Sequence, residues 1–159
     1  MTASSVVIDR TSLLVEVDAS LPLDVCEAAL GAERLTLDVD AKRARGMTVA
    51  AWLEAGAPGA RDPWLDPADH VVAGLEATLP DGKLLSVRPA PRRAVGPDLV
   101  ALVVGMNGRY AKVTRAWLRV HPVGVVRPST HPVVVDRAPP LGDGEKALLD
   151  AIARELGAR

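Results

Sequence analysis

Residues 71–122 decide the fold: VVAGLEATLPDGKLL (71–85), RPAPRRAVGPD (88–98), LVALVVG (99–105) and RYAKVTRAWLRVHP (109–122). In the first stretch Val71, Ala73, Leu75, Ala77 and Leu79 alternate with Val72, Gly74, Glu76 and Thr78, the period of a half-buried strand. Pro80-Asp81-Gly82 supplies a turn, because Pro presets φ, Asp accepts local hydrogen bonds and Gly takes the left-handed position. Residues 71–79 and 84–88 are therefore expected to pair as antiparallel strands. A Pro/Arg-rich crossing leads to a short apolar run at 99–104, with Pro97 in its first turn. Periodicity cannot separate helix from buried strand in so short a run. Gly105-Met106-Asn107-Gly108 then opens into a long strand, 110–121, expected in the same sheet.

Working outward, SVVID (5–9) and SLLVEVD (12–18) read as two short strands. Ser20 can cap the helix that follows, with Pro22 in its first turn and Val25, Cys26, Ala29 and Leu30 as its apolar stripe. LTLDV (35–39) is a short strand. Thr48 is an N-cap for VAAWLEA, which Gly56 ends. The Pro/Gly-rich run 56–70 is an ordered loop fastened by Trp64 and Leu65. Beyond Pro122 the sequence predicts one strand, VVVD (133–136), and an amphipathic helix, 144–157, with Leu148, Leu149, Ile152 and Leu156 on its stripe. These elements give an α+β fold with a mixed, mainly antiparallel sheet flanked by helices. No repeat or long linker divides residues 1–159, so a single domain is expected.

Composition narrows the function. At 159 residues and 48% hydrophobic the chain can bury its own core. A formal charge of −1 offers no basic field for nucleic acid. No apolar run approaches the roughly 20 residues of a membrane span. MTASSVVIDR lacks a basic n-region and an apolar h-region, so no secretory leader is expected. One cysteine, Cys26, excludes an internal disulfide, fits a reducing cytoplasm, and lies on a helix face as a small buried hydrophobe. The excess of arginine over lysine reads as a GC-rich bacterial coding bias.

Chemistry-bearing patterns are sparse. His70, His121 and His131 fall in different elements and form no metal-ligand spacing with Cys26. Asp62, Asp66 and Asp69 fit helix caps and turns rather than an EF-hand, since Pro63 and Pro67 interrupt them. No Gly-x-Ser-x-Gly, phosphate loop or dinucleotide fingerprint occurs. The residues taken by themselves show no catalytic constellation and no metal site.

The order of elements over 5–122 resembles the second half of the FAD-binding domain of the FAD-linked oxidases, the vanillyl-alcohol-oxidase or p-cresol-methylhydroxylase type. Glycolate oxidase and alkyl-dihydroxyacetone-phosphate synthase are branches of this family. The family pattern runs roughly V-x-G-L-x-x-V-L-P-D-G, then G-P-D-L-x-x-L, then G-S-E-G-T-L-G-I-I-T, and the resemblance implies a helix for the apolar run at 99–104. The resemblance implies FAD-contacting positions at Thr48, Val49, Ala50 and Ala51, where the family has a T-x-G-G turn, and at Gly59 in the loop that follows. It also implies Gly108, Lys112, Val113 and Thr114 in the glycine-bracketed segment.

This chain departs from that pattern. Ala50 and Ala51 replace two glycines and remove room for close backbone approach. Ala111 replaces another, Asn107 replaces a Glu, and Lys112 replaces an aliphatic residue beside the isoalloxazine. A lysine there must reach solvent or pair with a carboxylate. The family's P-R-G-G-G-T-S pyrophosphate loop does not occur in the sequence, nor does a substrate-cap domain. The expectation is therefore a degenerate, non-catalytic binding or assembly module with no cofactor. The alternative is the flavin-binding subunit of a split oxidoreductase that uses FAD. A lobe without its N-terminal half exposes an apolar face, so a homodimer or a protein partner is expected on the side that covers flavin in the family.

Overall fold

The computed structural model describes residues 6–60, 71–89, 99–125 and 142–157. Strands β1 (Val6–Asp9), β2 (Leu14–Asp18), β6 (Lys112–Arg119), β4 (Val72–Thr78) and β5 (Leu84–Val87) form one five-stranded sheet in the order β1-β2-β6-β4-β5. All of its pairings are antiparallel. The predicted strand at 133–136 and residues 61–70 of the predicted 56–70 loop lie outside the described residues.

Helices α1 (Leu23–Ala32) and α2 (Val49–Glu54) share one core with the sheet. Val15, Val17, Leu75, Ala77, Ala116 and Leu118 come from the strands, and Cys26, Leu30, Val49, Trp52 and Leu53 from the helices. The stripe of α1 is Leu23, Cys26 and Leu30 at helical spacing, whereas Val25, expected on it, is 48% exposed. Pro22 rather than Ser20 occupies the cap position of α1. The Ser20 N–H and hydroxyl instead both donate to Asp18 Oδ1, at 2.9 and 2.6 Å, closing the β2–α1 turn. The first amide of α1, Leu23 N–H, is taken by the Met47 carbonyl at 2.9 Å.

The hairpin forms as its turn residues dictate. Leu79 N–H donates to the Lys83 carbonyl at 2.8 Å, Asp81 Oδ1 accepts Lys83 N–H at 3.0 Å, and Gly82 sits at φ +84°. The expected strict alternation along β4 fails at Ala73. The register runs Val72↔Leu118 and then Gly74↔Trp117, a bulge that adds one residue on β4. Val72 thereby joins the core beside Leu118, and Ala73, though buried, stands outside the core cluster. Gly74 has a steric reason. A Cβ there would lie 2.5 Å from the Val87 carbonyl oxygen and 2.8 Å from Pro89 N. Only glycine lets the outgoing chain cross so close to the sheet.

Three predicted elements are shorter or different. The 35–39 strand shrinks to β3 (Leu35–Thr36), because Leu37 N–H turns to Glu27 and Asp38 adopts φ +59°. The 110–121 strand splits: Lys112–Arg119 joins the main sheet, while β7 (His121–Pro122) pairs with β3 in a separate two-stranded sheet. Residues 99–102 form a 3-10 turn, not an α-helix, with Val100 and Val103 reaching the core at the spacing of three that such a turn favours. Helix α3 (Asp143–Glu155) begins with Glu145 Oε2 accepting Gly142 N–H at 2.8 Å. Its inner side carries Leu149, Ile152, Ala153 and Leu156, and Leu148 is 62% exposed. Tyr110 Oη donates to the Leu149 carbonyl at 3.2 Å and Arg109 pairs with Asp150 at 2.7 Å, fixing α3 to the 109–110 segment.

Candidate functional site

The segments singled out by their likeness to flavin-contacting positions meet around α2. At its N-terminus Thr48 Oγ1 accepts Ala51 N–H at 3.2 Å, the expected cap. Val49 N–H goes to the Leu21 carbonyl at 2.9 Å, Ala50 N–H to the Ala19 carbonyl at 2.8 Å, and Trp52 N–H to the Thr48 carbonyl. All the first-turn amides of α2 therefore have acceptors within the chain. Ala19 also donates its own N–H to the Thr114 carbonyl at 3.0 Å. It thus ties the Thr48–Ala51 turn to β6.

The opposite end of α2 is held by the glycine-bracketed loop. The Leu53 carbonyl accepts Gly56 N–H and Gly105 N–H, at 2.9 and 3.1 Å, and the Glu54 carbonyl accepts Asn107 N–H at 2.7 Å. Asn107 reaches this position at φ +50°, a left-handed conformation that asparagine tolerates better than most residues. Gly56 and Gly105 allow close backbone contact: a Cβ on Gly56 would stand 3.4 Å from Gly105 Cα. The Glu54 side chain completes the clamp, with Oε1 accepting Val113 N–H at 3.0 Å. Its Oε2 and the Lys112 ammonium both crowd Gly108, at 2.8 and 2.5 Å from where a Cβ would be.

Other expected site residues find plainer places. Lys112 is exposed, and its ammonium lies over Gly108 on the side of the Glu54 carboxylate. Val113 is buried in the core, and Thr114 is the extra residue of a second bulge, its hydroxyl donating to the Glu76 carbonyl at 3.2 Å. Gly59 stands apart from these, against Asp40 and Arg43, with its carbonyl accepting Asp40 N–H at 2.8 Å. Gly108, Arg109, Ala111 and Lys112 line an open groove of about 270 Å³ with Thr78, Leu79 and Pro80 from the hairpin turn. The exposed residues of 48–51 and 105–114 are Ala51, Gly105, Asn107, Arg109, Lys112 and Thr114, a mainly polar set where an apolar face was expected.

Sequence reasoning missed Ala19 and Glu54. No local pattern marks either one. Glu54 meets Val113 across 59 residues of chain, so nothing in its own neighbourhood announces the contact. Cys26 is as expected, fully buried, and burial pushes its thiol up to about 12. Among the described residues no cluster of His, Cys, Asp and Glu could hold a metal ion. None of the described helices is long and apolar enough to cross a membrane.

No protein-family model matches the chain. It is 25% identical over 113 residues to an uncharacterized FAD-linked oxidoreductase, YgcU, of Escherichia coli K12, covering 71% of this chain and 23% of that protein. The counterpart from Escherichia coli O157:H7 matches to the same extent. Among solved structures, alkyldihydroxyacetonephosphate synthase superposes in two crystal forms with TM-scores of 0.64 and 0.63, at 20% identity. Each superposition covers 77% of this chain and 22% of that one. The chain is related to the FAD-binding domains of the FAD-linked oxidases. It spans less than a quarter of the length of these relatives. The FAD-linked oxidase relationship thus describes part of a domain, and the described residues around α2 fit that cofactor poorly. The amides at 49–51 and 113 are spent on Leu21, Ala19, Thr48 and Glu54, and a carboxylate lies against Gly108.

Proposed function

We propose that the chain is a degenerate FAD-binding-type domain that acts as a non-catalytic binding or assembly module in the cytoplasm. The observation that supports this most is the consumption of backbone donors at both ends of α2. A cofactor is held by amides that remain free to point at it. Here Ala19, Leu21 and the Thr48 side chain take those of the first turn, and Glu54 takes Val113 N–H. Binding flavin in the manner the resemblance implies would require breaking these bonds.

The module's contact is assigned to the surface formed by 48–51 and 108–114, with a second copy or another protein as the partner. Exposed Asn107, Arg109, Lys112 and Thr114 make that surface polar, with Arg109 already paired to Asp150, so the contact is read as a polar one. Light scattering of the purified protein tests association: a dimer or larger species is expected. A monomer that recruits no second chain would count against an assembly role.

A second reading, supported by the likeness to FAD-linked oxidoreductases, is a flavin-binding subunit whose pyrophosphate loop and substrate cap come from another chain. The two readings part on flavin. The purified protein is expected to be colourless and to bind added FAD weakly at most. A yellow protein whose flavin survives gel filtration would overturn the first reading and support the second.

A further inference from the structure

On the side of α1, an open cleft of about 460 Å³ lies between that helix and the turn over 39–46. Its floor is apolar: Leu23, Val39 and Ala44. Asp24 and Glu27, three residues apart on α1, place carboxylates on one wall. Lys42 and Arg45 place cationic side chains on the other. Among the described residues no ion pair crosses the cleft, and neither Lys42 nor Arg45 has a carboxylate within ion-pair distance, although Arg43 between them meets Asp40 at 3.9 Å.

Both walls are held in place. The Asp40 carbonyl accepts Arg43 N–H and Ala44 N–H at 3.0 and 3.1 Å, and Asp40 Oδ1 accepts Lys42 N–H at 2.9 Å. The bond from Leu23 N–H to the Met47 carbonyl joins the turn to α1. Gly59 packs against Asp40 and Arg43 from behind. Opposite, Glu27 Oε1 accepts Leu37 N–H and Oε2 accepts the Thr36 hydroxyl, each at 3.0 Å. A carboxylate has about four lone-pair sites, so each oxygen retains capacity for another donor.

We propose that this cleft binds a small aliphatic amino acid or a zwitterion of the same form. Its ammonium meets Glu27 and Asp24, its carboxylate meets Arg45 and Lys42, and its side chain covers Leu23, Val39 and Ala44. A simple anion would face the fixed Glu27 carboxylate, and a simple cation would face the two bases. A neutral apolar ligand would leave both charged walls desolvated and unpaired. Only a ligand carrying both charges on an apolar body satisfies the three surfaces together. The volume of about 460 Å³ lies within the roughly 300–1,000 Å³ typical of small-molecule sites and admits an amino acid.

The test is an amide-resolved NMR titration of the intact chain with three probes: L-leucine, N-acetyl-L-leucine without the ammonium, and isoamylamine without the carboxylate. L-leucine is expected to shift the amides of 23–27 and 39–46 saturably, with each control weaker by about tenfold or more. Arg45→Ala, a change at an exposed side chain, is expected to weaken L-leucine by about tenfold while the remaining spectrum is unchanged. Glu27→Gln is expected to do the same from the other wall. The proposal falls if L-leucine moves no amide in these segments, if either control binds equally well, or if Arg45→Ala binds L-leucine unchanged.

Discussion

The surface around α2 and the cleft beside α1 stand about one helix apart in the chain yet handle their polar groups in opposite ways. Around α2 the amides of 49–51, 105, 107 and 113 all end on acceptors of the same chain. Beside α1, Lys42 and Arg45 carry charges that no carboxylate among the described residues neutralises. Folding has consumed the backbone donors of the first surface and left the charges of the second available. Kinship alone would point to the first as the place to look for a ligand; hydrogen-bond accounting points to the second.

If the α2 surface is closed by folding, α2 must be part of the core and not an attachment to it. Trp52→Ala tests this most severely. Trp52 is fully buried and its indole N–H donates to the Pro58 carbonyl at 3.0 Å. Truncation removes a large side chain and orphans that carbonyl, a loss of about 3–5 kcal/mol in urea unfolding. A loss below about 1 kcal/mol would mean that the site collapses freely and that the clamp is not rigid.

The next test sets the two regions directly against each other. Glu54→Ala leaves Val113 N–H, inside a buried strand residue, without its acceptor, so a loss of about 1–3 kcal/mol is expected. Hydrogen exchange at Val113 should accelerate with it. Lys42→Ala and Arg45→Ala, in the cleft, remove no ion pair between described groups, so each should stay within about 0.5 kcal/mol of the parent. Equal costs at Glu54 and Arg45 would erase the distinction between a surface consumed by folding and one left for a ligand.

How much of this was legible in the sequence depends on how far apart the partners lie. The hairpin was readable because Pro80, Asp81 and Gly82 specify their turn within a few residues, and Thr48 was readable because it caps an amide three positions on. Ala73 was misplaced because a bulge is a property of two strands in register, and alternation in one strand cannot reveal it. The stripe of α3 was read one residue off at Leu148, since its docking is set by Tyr110 and Arg109 some forty positions upstream. The same limit hid Glu54. Ala19 links the 48–51 turn to β6 through Ala50 N–H and the Thr114 carbonyl, and the direction of each of these amides became visible only in three dimensions.

Cys26 offers a milder probe of the same core. Burial disfavours the thiolate, and the neighbouring Glu27 charge adds to this, so the thiol is pushed up to about 12 from its ordinary 9.0. At pH 8 the native protein should resist a thiol-alkylating reagent and react fully only after unfolding in urea. Alkylation of the native protein at the rate of a free cysteine would show that α1 opens readily, which would undermine the fixed wall assigned to the cleft.

The smallest effect concerns Glu27, on that wall. Burial raises its carboxyl above the ordinary 4.5, and the Asp38 charge adds slightly, against the lowering influence of the bonds from Thr36 and Leu37. The folded protein therefore holds this proton to a higher pH than the unfolded chain does. In the window just above 4.5 the native state binds more protons, so Glu27's contribution to stability increases as pH falls through its raised pKa and declines as pH rises through it. Glu27→Gln removes the titration but keeps the shape. The amide oxygen can accept Leu37 N–H, and its NH₂ can donate to the Thr36 hydroxyl oxygen. The variant should accordingly lose part of the pH dependence just above 4.5 in a thermal-unfolding series, with little change well below it. A carboxyl ¹³C titration of the parent gives the independent check. An inflection below 4.5 would mean that the bonds from Thr36 and Leu37 outweigh burial, and Glu27's contribution to stability would then rise with pH instead of declining.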